Sequence, residues 1–372
     1  MRYPRRVPTP GEVGWTYIKY NWAQPLFKRP FLPKALLIYV TYRCNARCVM
    51  CGIWKDHEFS EAKTELSVGE LECILSDPLF SKIEYLNING GEPVLRGDLV
   101  DIAQLIVRKL PHLKQLSMNS NGLLPDRLVS SVTQMRALCH SRDIRFSLVI
   151  SCHGTRDLLD KIFGVPGAFD KLQRTLEALK TLDLDRHGSR FLSLNCAISN
   201  ANASNLFELS EWCKKNNINV NFVLAEVRDR FFNQDMAAQT AVSGEEKEET
   251  VNFLRYLAQD KRLTNPVALR YHCLANMLER GERRTLACHY AMGCLILGSH
   301  GHLYYCPHSR AIGNCRQRSA YEIYYNEENL EYRQLGLMRD KCLHCPPNTF
   351  NRLEFEKDIL KFLRFLVNPR WV

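Results

Sequence analysis

From residue 35 onward the chain alternates strand-like and helix-like segments, and this alternation restricts the fold more than any other feature. Runs rich in branched and aromatic residues lie near 35–41, 83–88, 114–118, 144–150, 190–197 and 218–224. Amphipathic stretches near 67–78, 97–110, 124–139, 167–181 and 204–215 separate them. A strand-then-helix unit recurring at about 30 to 40 residues argues for parallel βαβ units. Right-handed crossovers wind such units into a barrel or part of one. The expected class is therefore α/β, a partial (β/α)6 TIM-like barrel, with functional groups on the loops after the strands.

The motifs fall where that fold would put a site. Cys44, Cys48 and Cys51 follow the first strand, and Gly90-Gly91-Glu92-Pro93 follows the second. Asn119-Ser120-Asn121-Gly122 follows the third and Ser151-Cys152-His153-Gly154 the fourth. On a parallel sheet all four motifs share one rim. Glycines can simply make a tight turn; beside the cysteine triplet, they also bring backbone groups close to a ligand. Three thiolates on one loop can hold three corners of a cubane iron–sulfur cluster and leave the fourth iron open to a small molecule. The same spacing also suits zinc with a fourth ligand from elsewhere, or packed thiols.

Composition narrows the class. The 372 residues are 45% hydrophobic, enough for one large and one smaller core. The N-terminus, Met-Arg-Tyr-Pro-Arg-Arg, shows no secretory pattern. Fifteen cysteines without an export signal argue for a reducing, cytoplasmic setting and for metal or cluster ligation, not disulfides. No run approaches the ~18 continuous apolar residues of a membrane span. The net charge of +10 suits acidic partners. No nucleic-acid-binding signature accompanies it, so no nucleic-acid partner is expected.

The cluster loop and Gly90–Pro93 on successive strand ends resemble those of the radical S-adenosylmethionine (SAM) enzyme superfamily, with the likeness covering about residues 35–225. The resemblance implies a [4Fe–4S] cluster on Cys44, Cys48 and Cys51 whose open iron takes the amino and carboxylate groups of SAM. One electron from the reduced cluster breaks a carbon–sulfur bond of SAM, and a 5′-deoxyadenosyl radical takes hydrogen from the substrate. By the same resemblance Gly90, Gly91, Glu92 and Pro93 orient the methionine end of SAM, and Ser151 meets its carboxylate or ribose. Asn119, Asn121 and Asn195 are further contacts to ribose or adenine. Met50 departs from the pattern, since an aromatic residue usually precedes the third cysteine; a thioether can still cover a ring face. A flavodoxin or ferredoxin is the implied electron donor.

A second cysteine group lies beyond residue 285: Cys288, Cys294, Cys306, Cys315, Cys342 and Cys345. A hairpin is expected between Leu295-Ile-Leu and Leu303-Tyr-Tyr, turning at Ser299–His302. The pattern resembles the twitch domain, a shortened relative of the SPASM domain, and implies an auxiliary [4Fe–4S] cluster on Cys288, Cys306, Cys342 and Cys345. Cys294 is an alternative ligand, and Cys315 is not expected to be one. A four-cysteine zinc site is the rival. The expected order is an N-terminal extension (1–34), a core barrel (35–230), a helical linker (231–285), the auxiliary domain (286–350) and a C-terminal helix (351–372).

A fully ligated auxiliary cluster carries electrons instead of binding substrate, which favours dehydrogenation. The expected substrate is a small molecule, a sugar or secondary-metabolite intermediate, since 34 N-terminal residues are too few for a peptide-recognition domain. The alternatives are crosslinking or epimerisation of a ribosomal peptide and, in another class, a zinc-binding protein without catalysis. Candidates for proton transfer are Glu226, His153 and His308; Cys315, Cys152 or Cys196 would serve to return hydrogen only if near the barrel mouth. Arg228 and Arg230 are candidates for binding a phosphate or carboxylate. The apolar and basic run Ile359–Val367 is expected to dock on the barrel as a terminal helix, with membrane-surface contact as the alternative.

Overall fold

The computed structural model describes residues 9–24, 29–55, 64–182, 191–260, 265–349 and 351–369. The chain forms two compact units, one of Leu32–Val242 with Cys294–Asn329, the other of Met1–Phe31, Ser243–Gly293 and Leu330–Val372. The expected auxiliary segment 286–350 is shared between them.

The larger unit is built on β1 (Ala35–Tyr39), β2 (Tyr85–Asn89), β3 (Gln115–Ser120), β4 (Arg145–Ser151), β5 (Leu192–Ile198) and β6 (Val220–Leu224). These strands are parallel and lie side by side in chain order. Helices Val68–Leu75, Leu99–Lys109, Pro125–Ser141, Ala168–Lys180 and Leu206–Lys215 stand where their periodicity places them. An additional helix, Arg156–Phe163, ends at left-handed Gly164. The unbroken strand order is that of a barrel wall; a doubly wound sheet reverses direction partway.

Strand alternation divides the sheet into two unlike faces. Leu86, Ile88, Leu116, Met118, Leu148, Ile150 and Leu194 are fully buried. Their face meets the helices: Gly122 sits between Ile150 and the side chain of Leu172, from helix Ala168–Lys180. The opposite face presents Asn87, Ser117, Asn119, Ser147, Ser151, Asn195 and Asn221, all half-buried. A closed barrel fills its interior with branched apolar side chains. Amides and hydroxyls here line a face suited to a polar ligand.

The sheet continues beyond β1. β7 (Cys294–Leu297) pairs parallel to β1, and β8 (His302–Tyr304) and β9 (Gly313–Asn314) follow antiparallel, making nine strands among the described residues. The hairpin is the one expected from Leu295–Leu297 and Leu303–Tyr305. Its attachment to β1 was not legible, because four apolar residues at a strand edge do not name their partner.

The second unit is helical, with Pro10–Ile18, Gly244–Asp260, Val267–Arg280, Arg352–Lys357 and Ile359–Val367 among its elements. Thr9 and Glu12 form a capping box at the first of these helices. The terminal helix docks through Phe365, buried with Ala268, Leu269, Cys273 and Leu286. It therefore packs on helix Val267–Arg280. Leu360, Leu363 and Val367 remain exposed. Among the described residues no helix is long and apolar enough to cross a membrane.

Candidate active site

The cysteine loop leaves β1 at Thr41, whose hydroxyl accepts the Arg43 N–H at 3.0 Å and donates to buried Glu65. Glu65 also pairs with Arg43 (3.3 Å) and Arg96 (3.8 Å). Arg96 donates to the Val40 carbonyl at 2.9 Å and to the Leu66 carbonyl at 3.0 Å. This network fixes the base of the loop. It was missed in the sequence, where nothing links Glu65 to Arg43 or Arg96.

The loop backbone is pinned along its length. Arg47 N–H donates to Phe163 at 2.7 Å, Val49 N–H to Ile162 at 2.9 Å and Gly52 N–H to Phe231 at 2.7 Å. The Asn233 side chain donates to the Met50 carbonyl at 2.8 Å. Asn121 Nδ2 donates to Asn45 Oδ1 at 2.7 Å and approaches Cys44 Sγ at 3.8 Å. Helix Arg156–Phe163, the β3 loop and the segment after β6 thus all hold the three cysteines. Bonds from amides to cluster sulfurs tune an iron–sulfur centre.

The glycine motif abuts the same loop. Gly91 N–H donates to Thr41 and Glu92 N–H to Arg43, each at 2.8 Å. A Cβ on Gly90 would lie 2.3 Å from the Thr41 carbonyl oxygen, and one on Gly91 2.2 Å from that of Arg43. Glycine is required here because two backbones touch. Glu92 turns its side chain inward, accepting from Ser120 Oγ (2.9 Å), Asn121 N–H (2.6 Å) and Val94 N–H (3.3 Å). It ties the Gly90–Pro93 turn to the β3 loop and so acts as a positioning residue.

Burial pushes the Glu92 carboxyl up to about 7 from its ordinary 4.5. The folded protein therefore holds this proton more tightly than the unfolded chain, and stability falls as pH rises from about 4.5 to 7. The shift corresponds to roughly 3 kcal/mol. Glu92→Gln is expected to remove that slope while weakening the network by about 1–3 kcal/mol, because the amide faces donors. Denaturant midpoints of the apo-protein across this range check it; parallel slopes for the two proteins refute it.

The other expected site residues divide. Asn119 accepts from Asn87 Nδ2 at 3.1 Å, and Asn195 from Asn221 Nδ2 at 2.9 Å, both on the polar face with Ser151. The Asn87 Oδ1 atom is buried there without a donor. His153 lies in the scaffold: its Nδ1 accepts the Ala197 N–H at 3.1 Å, and burial lowers its pKa to about 4. Cys152 and Cys196 are fully buried, which removes them from any exchange with a bound substrate. Cys294 is buried on β7, paired in register with Ala35. Cys315 donates its N–H to Gly301 at 2.8 Å, and its thiol, raised to about 12 by burial, lies near Asp77. Burial pushes the Glu226 carboxyl up, but His308 (2.7 Å) and Arg228 outweigh it and hold the group below the ordinary range.

Of the second cysteine group, Cys288, Cys342 and Cys345 belong to the helical unit and Cys306 to the larger one. Within the helical unit Cys288 is clamped on both sides: Ala287 N–H donates to Asp358 at 2.6 Å and His289 N–H to Glu354 at 3.0 Å. Arg284 donates to Cys345 Sγ at 3.7 Å and to the Leu286 carbonyl at 2.8 Å; burial works against its charge, but Cys288, Cys345, Glu354 and Cys342 outweigh it.

The donor chemistry of the first triplet fits an iron–sulfur cluster. Burial raises all three thiols, Cys44 to about 12, and Cys51 and Cys44 raise Cys48 further. Gathered as free thiols they are neutral; a bound metal centre would hold them as thiolates.

Residues 38–194 match the model of the Radical SAM superfamily. A probable GTP 3′,8-cyclase of Sulfolobus acidocaldarius is 26% identical over 184 residues, 49% of this chain and 53% of that protein. A GTP 3′,8-cyclase of Rhodopirellula baltica is 37% identical over 92 residues, 24% and 25% of the two chains. An Fe-coproporphyrin III synthase of Methanosarcina barkeri is 32% identical over 139 residues, 37% and 31%. These matches span between about a quarter and a half of the relatives' lengths. Among solved structures, native anSMEcpe with bound AdoMet and the Cp18Cys peptide superposes with a TM-score of 0.56 at 16% identity, covering 90% of this chain and 99% of that one. SuiB of Streptococcus suis bound to S-adenosylmethionine gives 0.58 at 15% identity, covering 87% and 73%. At such identities the likeness is one of fold.

Proposed function

From a chain that carries a radical SAM domain over residues 38–194, we propose an oxidoreductase that cleaves SAM reductively and abstracts hydrogen from a polar small molecule such as a sugar or secondary-metabolite intermediate. The observation that carries this reading is the cysteine loop, pinned to Phe163, Ile162, Phe231 and Asn233 and abutting Gly90 and Gly91 after β2. Cys44, Cys48 and Cys51 would hold a [4Fe–4S] cluster, which supplies the electron that breaks SAM and yields the hydrogen-abstracting 5′-deoxyadenosyl radical.

The chain's own residues do the rest. Gly90 and Gly91 let the turn after β2 lie directly against the backbone of Thr41 and Arg43. Asn121 orients Cys44 and is itself fixed by Glu92. The amides and hydroxyls of the polar face receive the substrate, and the Glu226–His308 pair takes the proton released when the substrate radical loses an electron. Cys288, Cys342 and Cys345 of the helical unit would be ligands of the auxiliary [4Fe–4S] cluster that accepts this electron, with Arg284 stabilising its negative charge. An acidic flavodoxin or ferredoxin is the electron donor on this reading, matching the net charge of +10.

A second reading, modification of a ribosomal peptide, is favoured by one observation. Both anSMEcpe with its Cp18Cys peptide and SuiB with its precursor peptide SuiA superpose on most of this chain.

Anaerobically reconstituted protein with SAM and a strong reductant is expected to form 5′-deoxyadenosine; none formed from an iron-loaded sample sinks the reading. Roughly eight irons per chain are expected with both clusters in place. Replacing Cys342 and Cys345 by Ala should lower this to about four and keep SAM cleavage. Iron content unaltered by that pair of changes refutes the auxiliary assignment.

A further inference from the structure

Two helices of the helical unit leave apolar stripes exposed. On Pro10–Ile18 and the turn that continues it, Lys19–Ala23, these are Trp15, Ile18 and Trp22, with Trp15 66% and Trp22 69% exposed. On Ile359–Val367 they are Leu360, Leu363 and Val367. In both the spacing is three and then four residues, which sets the side chains along one face. Other faces anchor the helices: Tyr20 is buried with Ala287 and Met292, and Phe365 with Ala268, Leu269 and Leu286. The Asn21 side chain donates to the Lys357 carbonyl at 3.3 Å, joining the first helix to the segment that leads into the second. Single exposed apolar side chains are ordinary. Six of them in two regular stripes, two being tryptophans, mark a docking surface.

Charge states what docks there. The sequence segments of the helical unit hold 22 basic and 13 acidic residues, net +9, and so carry nearly all of the chain's +10. Beside the second stripe the acids are turned inward: Glu354, Glu356 and Asp358 are buried. Glu354 and Asp358 accept the N–H groups of His289 and Ala287. Arg364, by contrast, is exposed within the stripe, next to Leu363. On the first helix Glu12 is exposed, but it is engaged with Thr9 in the capping box. A second copy of the chain would bring +9 against +9. An acidic protein would set carboxylates against apolar side chains. An anionic bilayer offers both partners at once, phosphates for the basic residues and hydrocarbon just beneath for the stripes, at the level where tryptophan settles. Since no described helix is long and apolar enough to cross, the contact is with the bilayer surface.

We propose that the helical unit docks on an anionic lipid surface through Trp15, Ile18, Trp22, Leu360 and Leu363, with Arg364 at the headgroups. The surface stands apart from the radical SAM reading and does not depend on it.

Flotation of the anaerobically reconstituted full-length protein with lipid vesicles tests it. Vesicles of phosphatidylcholine mixed with phosphatidylglycerol are expected to carry the protein upward. Phosphatidylcholine alone should bind about tenfold more weakly, and high salt should release much of the bound fraction. Trp15→Ser with Trp22→Ser, and separately Leu360→Ser with Leu363→Ser, should each weaken flotation about tenfold or more. All four side chains are exposed, so circular dichroism and cluster absorbance should match the wild type. No flotation with the anionic vesicles, equal flotation with the neutral ones, or flotation that either double variant keeps undiminished overturns the proposal. Sedimentation of the lipid-free protein reads the other occupants. A dimer that the Trp15/Trp22 variant turns into a monomer gives the surface to a second copy and overturns the proposal. So does flavodoxin binding that the double variants lose while the wild type fails to float. None of these outcomes involves 5′-deoxyadenosine formation, so the surface and the radical reading can fail separately.

Discussion

Replacing Cys44, Cys48 and Cys51 together by Ala is expected to abolish formation of 5′-deoxyadenosine from SAM, with no detectable remainder. The expectation is complete loss because, on the proposed assignment, the three thiolates are the first cluster's whole protein ligation, and without that cluster the electron step is lost. The effect should be chemical and not a failure to fold. The contacts that hold the loop run through its backbone, from Arg47 to Phe163, Val49 to Ile162, Met50 to Asn233 and Gly52 to Phe231. These four avoid the sulfurs, and the Asn121 approach to Cys44 Sγ is long at 3.8 Å, so the apo-form of the triple variant should melt close to the apo-form of the wild type. Chromatography of the reaction products and a thermal melt check the two halves. Retained SAM cleavage would show that the triplet had been given the wrong task.

Gly52→Ala is expected to be nearly as damaging by a different route. A Cβ at position 52 would sit 2.0 Å from the Phe232 carbonyl oxygen and 2.8 Å from that of Phe231. Both obstacles are backbone, and Gly52 is bonded to one of them at 2.7 Å, so no rotamer change relieves the overlap. Phe232 already holds a positive φ of 47°, leaving that turn little freedom to retreat. The loop must therefore move away from residues 231–233, giving up the Asn233 bond to Met50. A loss of about 3 kcal/mol or more is expected, with the first cluster incompletely loaded. Gly69→Ala is the control: nothing lies within 4 Å of its Cβ, and the residue is in a helix, where alanine is preferred. A Gly52 variant with the melting point and iron content of the Gly69 variant would contradict the steric account.

The strands and the rim of motifs were legible because each rests on a local pattern. Alternation in β2 to β5 separates Leu, Ile and Met from Asn and Ser, and turn residues follow each strand. What was not legible depends on contacts distant in sequence. Nothing in the local pattern around Glu65 says that it will bind Thr41, Arg43 and Arg96. Nothing around Asn233 points to Met50, 183 residues earlier. Glu92 was expected, with Gly90, Gly91 and Pro93, to orient the methionine end of SAM; that its carboxylate bridges two loops, through donors on Ser120 and Asn121, was not legible. His153 looked available because it follows a strand, but its ring lies against Phe163 and accepts from Ala197. The cysteines after residue 285 were readable as a group. Their division between two compact units was not, since spacing carries no information about which core a segment joins.

Electron paramagnetic resonance of the reduced, anaerobically reconstituted protein, recorded before and after addition of SAM, tests the open coordination site most directly. In the Cys342/Cys345 double variant, with only the first cluster present, the expected result is a rhombic cluster signal whose g-values and shape change when SAM binds the iron that lacks a cysteine. A colourless protein, or a signal that SAM leaves unaltered, would contradict the assignment of Cys44, Cys48 and Cys51.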